Sequence, residues 1–159
     1  MRWLNPYICV PAVLLIILCY SLSAYAQSDT VIHDSLTLPE IIAIMEKANY
    51  KVVHYKEKGV IAWELGNNVI ALVSTDKPKS INFYTYERGG KVTLEDANNW
   101  NRDFKYSKTY LDEDKDVVLE LDLDLTGGVT ERRIIDFFAS CKLSHEQWLK
   151  QVINANENK

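Results

Sequence analysis

Cysteine, glycine and proline are all scarce in this 159-residue chain, at three, six and four residues. Cys9 and Cys19 fall within an N-terminal leader, and with the leader removed Cys141 stands alone. One thiol closes no intramolecular disulfide, so stability has to come from a packed core or from oligomerisation. Missing too is any cluster of lysine and arginine. The formal charge is −4, which offers no electrostatic footprint for nucleic acid and no attraction to anionic lipid. The chain has no G-x-S-x-G elbow, no G-x-x-x-x-G-K-[ST] phosphate loop, no H-x-x-x-H or C-x-x-C pair and no internal repeat. These absences remove the usual grounds for an enzyme, and no cofactor is expected.

What is present begins with MRWLNPYICVPAVLLIILCYSLSAYAQS. Arg2 precedes an apolar run from about Ala12 to Leu18, extended weakly to Leu22, and Ala24-Tyr25-Ala26 has the small-x-small spacing that signal peptidase reads. The run is shorter than the roughly 20 apolar residues a membrane span needs. Residues 1–26 therefore read as a cleaved signal peptide, and the mature protein is expected in the periplasm or outside the cell. A membrane is expected as partner only through an uncleaved leader. The lipoprotein alternative at Cys19 lacks small residues at Ile17-Leu18.

Residues 27–36 are polar and aperiodic, a flexible lead-in to a single domain over 37–157. Thr37 and Glu40 form a capping box, and Leu38, Ile41, Ile42, Met45 and Ala48 recur at helical spacing. Val52–Lys56, Val60–Leu65, Val69–Ser74 and Ile81–Glu87 are short and rich in β-branched and aromatic residues, with Lys58-Gly59, Gly66-Asn67-Asn68 and Asp76-Lys77-Pro78 between them. A second capping box, Thr93 to Asp96, opens a helix with Leu94, Ala97, Trp100 and Phe104 on one stripe. Strands Tyr106–Leu111 and Val117–Leu125 follow, and then a long helix from about Thr130 to Asn156. On it Ile134, Phe138, Cys141, His145, Trp148 and Val152 form one seam. The order α-β-β-β(β)-α-β-β-α is that of an α+β domain, an antiparallel meander with helices mainly on one face.

The stretch LDEDKDVVLELDLDLTGG concentrates acids and raises three readings. Asp112, Asp114 and Asp116 have the spacing with which an EF-hand loop begins. That loop also needs glycine at position six and a bidentate glutamate at position twelve, where Val117 and Leu123 stand. A hairpin turn with carboxylates bonded to nearby backbone N–H groups fits better. The alternative is a calcium-binding envelope protein using Asp112, Asp114, Asp116 and Glu120. Beyond the turn, Val117, Leu119, Leu121, Leu123 and Leu125 point one way, and Val118, Glu120, Asp122 and Asp124 the other. One face is thus expected on the core and one in water, where Glu120, Asp122 and Asp124 offer a basic partner an acidic docking face. Acid/base chemistry by paired carboxylates needs a cleft and contrasting environments, and an open sheet face has neither.

Tyr84 and Tyr86 share one face of their strand with Phe83 on the other, and Trp63 stands two strands earlier. Exposed aromatics mark protein interfaces, which makes Trp63, Tyr84 and Tyr86 candidates for binding; completion of the core explains them equally. His33, His54 and His145 are too scattered for a ligand set, and Cys141 on the apolar seam reads as a buried thiol.

Trp100-Asn101-Arg102, Lys108 to Asp114, Val118 to Asp124 and Gly127-Gly128-Val129-Thr130 together resemble the signature of the YbjN-like family, over roughly Pro39 to Lys150. The resemblance implies bacterial sensory transduction regulators with a fold similar to type III secretion chaperones. It further implies homodimers and protein binding without established catalysis. It carries no catalytic residue over. Two departures stand out: a leader that places this chain outside the cytoplasm, and Lys115 where a small turn residue is expected. The combined expectation is a non-enzymatic, exported, chaperone-like module that binds another polypeptide.

Overall fold

The computed structural model describes residues 31–55, 60–65, 69–74, 79–88 and 90–157. The leader over 1–26 lies outside these residues. Among them no helix is long and apolar enough to cross a membrane. The order is β1 (Ile32–His33), α1 (Leu38–Lys47), β2 (Val52–Tyr55), β3 (Val60–Leu65), β4 (Val69–Ser74), β5 (Ser80–Glu87), α2 (Leu94–Asp103), β6 (Lys108–Leu111), β7 (Val117–Asp124), β8 (Val129–Thr130) and α3 (Glu131–Trp148). The last helix continues through a π-helical turn, Leu149–Ile153, into Asn154–Glu157. The fold is α+β with antiparallel sheets.

Local chemistry sets the helix ends. The Glu40 carboxylate accepts from the backbone N–H of Thr37 at 2.8 Å and from its hydroxyl at 2.7 Å. Those bonds hold the Glu40 carboxyl below its ordinary range. Asn49, at φ 62, ends α1: its N–H donates to Glu46 O and that of Tyr50 to Met45 O, a Schellman pair that satisfies two terminal carbonyls. In α2 the Thr93 hydroxyl accepts from Asp96 N–H while the Asp96 carboxylate returns to Thr93 N–H. Ala97 and Trp100 face inward as the stripe requires. Leu94, however, is 73 % exposed, and Val92 just before the cap is buried instead.

Six strands form one sheet in the order β2-β3-β4-β5-β7-β6. The first four run as a meander. The hairpin β6–β7 then joins through its second strand, so β7 lies inside the sheet and polar β6 at the edge. That edge is guarded: the Asn101 amide donates to Thr109 O and accepts from Thr109 N–H, both at 2.9 Å, standing in for a seventh strand. Strand β6 starts at Lys108, not Tyr106, because Tyr106 turns at φ 64 and is 90 % exposed.

One face of the sheet carries Ile61, Trp63, Leu65, Ile81, Phe83, Leu119, Leu121 and Leu123 into the core. The seam of α3 meets them, with Ile134, Phe138, Cys141, His145 and Trp148 all buried. Each large apolar side chain so enclosed contributes about 1.5–3 kcal/mol. Trp63 is therefore not an interface residue. It is 2 % exposed and lies edge-on to Tyr50 at 4.7 Å, Phe138 at 5.8 Å and Phe83 at 6.0 Å. Its strand alternates Ile61, Trp63, Leu65 toward the helices, and the indole follows that period.

The lead-in is not wholly free of structure. Ile32 and His33 pair with Thr130 and Val129, and Leu36 is buried in the core. Gly128, at φ 88, lets β1 approach, since a Cβ there would stand 2.4 Å from Ile32 Cγ2.

Candidate functional site

The other face of the sheet, turned away from the core seam, carries the polar and tyrosine side chains. Three cross-strand rows build it: Asn82 with Asp122, Tyr84 with Glu120 and Lys108, and Tyr86 with Val118 and Tyr110. Val118 departs from expectation. Alternation puts it with the acids on the water side, yet it is fully buried. Its row explains this, because Tyr86 and Tyr110 flank it on the neighbouring strands and their rings exclude water from a small side chain.

Glu120 is the centre of a hydrogen-bonded group. It accepts from Lys108 Nζ at 2.9 Å, Asn82 Nδ2 at 2.9 Å and Tyr110 Oη at 3.2 Å. Burial alone would raise the Glu120 carboxyl; the bonds from Lys108 and Asn82, with the Lys108 charge and the Tyr110 bond, more than offset it and hold it below its ordinary value. The bond to Glu120 correspondingly raises Lys108. Burial and then the Glu120 charge push the Tyr110 phenol up to about 12. Tyr84 is raised as well, by burial and the nearby carboxylates of Asp112, Glu120 and Asp116. Asn82 also donates to Asp122 at 2.8 Å, so one amide holds two carboxylates in place. The Tyr84 and Tyr86 rings lie 6.0 Å apart, and Lys108 Nζ stands 5.9 Å from the centroid of the Tyr110 ring.

The structure thus brings Tyr84, Tyr86, Glu120 and Asp122 together, sets Asp124 at the end of the same strand face and excludes Trp63. Asn82, Lys108 and Tyr110 are the members that sequence reasoning missed. The signal available was the strand period: Lys108 and Tyr110 alternate as Glu120 and Val118 do. Which strands stand side by side is a nonlocal fact.

The alternative cation set is not assembled. Asp112 Oδ1 accepts from the N–H groups of Asp114 at 3.0 Å and Asp116 at 2.8 Å, and Glu120 is engaged on the strand. Lys115 takes φ 65 at the turn, the conformation for which a small residue was expected. Among the described residues no group of three or more His, Cys, Asp or Glu gathers as a metal site. Burial pushes the Cys141 thiol up and the His145 imidazole down, leaving both neutral inside the core. A cavity of about 160 Å³ between α2 and the π-helical turn is lined in part by Trp100, Phe104, Asp96, Asp103 and Gln151. Its acids are already engaged, Asp96 with Thr93 and Asp103 with Arg102.

Residues 80–153 match the model of the YbjN family, described as a "putative bacterial sensory transduction regulator". That span contains every residue of the outer-face group. Among solved structures the chain is similar to YbjN of E. coli, described as "a putative transcription regulator", at 15% identity and a TM-score of 0.58. The similarity covers 74% of this chain and 95% of that one, and at such identity it speaks for the fold. No curated protein matches. Over residues 80–153 the chain thus matches the YbjN family, and its α+β fold is similar to that of E. coli YbjN.

Proposed function

We propose that this protein is a non-catalytic, exported binding module that holds another polypeptide on the outer face of its sheet, in the service of sensing or regulation. The observation that carries the reading is the surface made by Tyr84, Tyr86 and Tyr110 around the Glu120 group. Tyrosines bury wide rigid area at little entropic cost while keeping a hydroxyl for hydrogen bonding. Fixed polar groups between them suit a backbone or side chain laid across the strands. The same groups suit catalysis poorly: Glu120 is held ionised and Tyr110 protonated across the neutral range, whereas a general acid or base needs a pKa near the working pH. The leader supports export. A homodimer, which the family resemblance implies, would use a different surface, because a two-fold contact here sets acidic face against acidic face.

Photocrosslinking in an exporting bacterial host tests this. A benzoylphenylalanine at position 86, on the face, should trap a polypeptide, and one at position 106, in the exposed turn before β6, should not. Equal adducts at both positions, or none at 86, would sink the reading.

A further inference from the structure

We infer that the polypeptide on the outer face presents a basic side chain, arginine or lysine, to Asp122 beside the ring of Tyr84. This rests on the polypeptide-binding reading above and specifies its partner.

Charge distribution is the first support. From Lys108 to Asp124 the chain has seven acids against two lysines, a formal −5, while the whole chain is −4. The excess negative charge therefore sits in the hairpin that builds this face, and the remainder of the molecule is close to neutral.

The chain's own lysine supplies the second. Lys108 lays its ammonium against Glu120 at 2.9 Å, within 5.9 Å of the Tyr110 ring, showing how a cation is held here by a carboxylate and an aromatic together. One row along, Asp122 repeats half of that arrangement. Asn82 fixes its carboxylate at 2.8 Å, Tyr84 is its diagonal neighbour across the strands, and among the described residues no salt bridge reaches it. The carboxylate is exposed and pre-positioned, so an incoming cation pays little to order it. A guanidinium can pair with Asp122 and stack on a tyrosine face at once, which favours arginine over lysine. An acidic polypeptide, a nucleic acid or a second copy of this face would meet repulsion at the same place.

Three extended octapeptides alternating threonine with arginine, glutamate or glutamine provide the probe, titrated against the full protein with amide shifts as readout. The arginine peptide is expected to bind, with shifts centred on Tyr84, Tyr86 and Asp122. Affinity should fall about tenfold in Asp122→Asn, and steeply as salt rises from about 50 to about 500 mM, because the pair is exposed to screening. Asp122 is exposed, so the variant should melt as the parent does, and that is checked alongside. Equal binding of the glutamine peptide, no loss in Asp122→Asn, or no binding of the arginine peptide overturns the inference. The crosslink at position 86 separates the two levels. If it forms while the peptides show no charge preference, polypeptide binding stands and the basic anchor fails. If it does not form, both fail.

Discussion

The indole N–H of Trp148 donates to the hydroxyl of Thr109 at 3.0 Å, and that hydroxyl donates onward to the carbonyl of Val118. Thr109 is on the edge strand, Val118 on the strand inside it and Trp148 near the end of the long helix. One buried hydroxyl thus ties the helix to the hairpin that carries the outer face.

Thr109→Val keeps the shape of the side chain and strands the indole N–H. The expected loss is about 1–3 kcal/mol, the cost of a buried donor without an acceptor. Urea denaturation should show it as a lower midpoint with an unchanged slope, and Thr109→Ser should recover most of it. Equal midpoints for valine and threonine would show that the relay contributes nothing to stability.

His145 makes stability depend on pH near neutrality. Burial lowers its pKa from 6.5, with Glu146 opposing in part, and its Nε2 has no hydrogen-bond partner among the described residues. The unfolded chain therefore binds the proton more readily than the folded one. Its contribution is complete above about pH 6.5 and falls as pH drops from there toward the folded pKa, by at most about 1.4 kcal/mol per pH unit for one group. Midpoints measured from pH 7.5 to 5.5 should slope downward in the parent and be flatter in His145→Gln.

Gly128 and Gly127 separate backbone strain from a contact. Both have φ near 90°, at 88 and 86, but only a Cβ on Gly128 meets Ile32. Gly127→Ala should cost about 1–2 kcal/mol from the backbone alone. Gly128→Ala should cost more and speed amide exchange at Ile32 and His33 by undocking β1. Indistinguishable losses would mean that the β1–β8 pairing adds no stability.

Lys115 adopts φ 65 without being glycine. Lys115→Gly removes that strain and should stabilise the hairpin by about 0.5–1 kcal/mol, read as a rise in Tm.

Calcium at millimolar concentration should leave Tm where it is. Asp112 is spent on two backbone N–H groups and Glu120 on Lys108, so among the described residues no ligand set remains to bind the folded state preferentially. A rise in Tm that Asp112→Ala abolishes would restore the cation reading.

Much of the fold was legible because its signals are local. The boxes at Thr37–Glu40 and Thr93–Asp96 open helices as their spacing predicts, and the seam from Ile134 to Val152 is buried at every expected position. The alternation from Val117 to Leu125 separates core from surface with one exception. Of the candidates for binding, Tyr84, Tyr86, Glu120 and Asp122 lie together on the outer face, while Trp63, which the sequence left open between interface and core, lies in the core. A strand period says that two faces exist without saying which one the helices cover, and large aromatics suit either.

By itself the sequence determined the α+β class, the helix starts, the acidic turn and the family resemblance, since each is read from local patterns or from their order along the chain. Only the tertiary structure decided that β7 lies beside β5, that Tyr86 and Tyr110 bury Val118, and that Asn82 and Lys108 converge on Glu120. Those are contacts between residues up to 44 positions apart, fixed by which strands pair and which face meets the long helix. No local pattern encodes that choice, because it is made by the packing of the whole core.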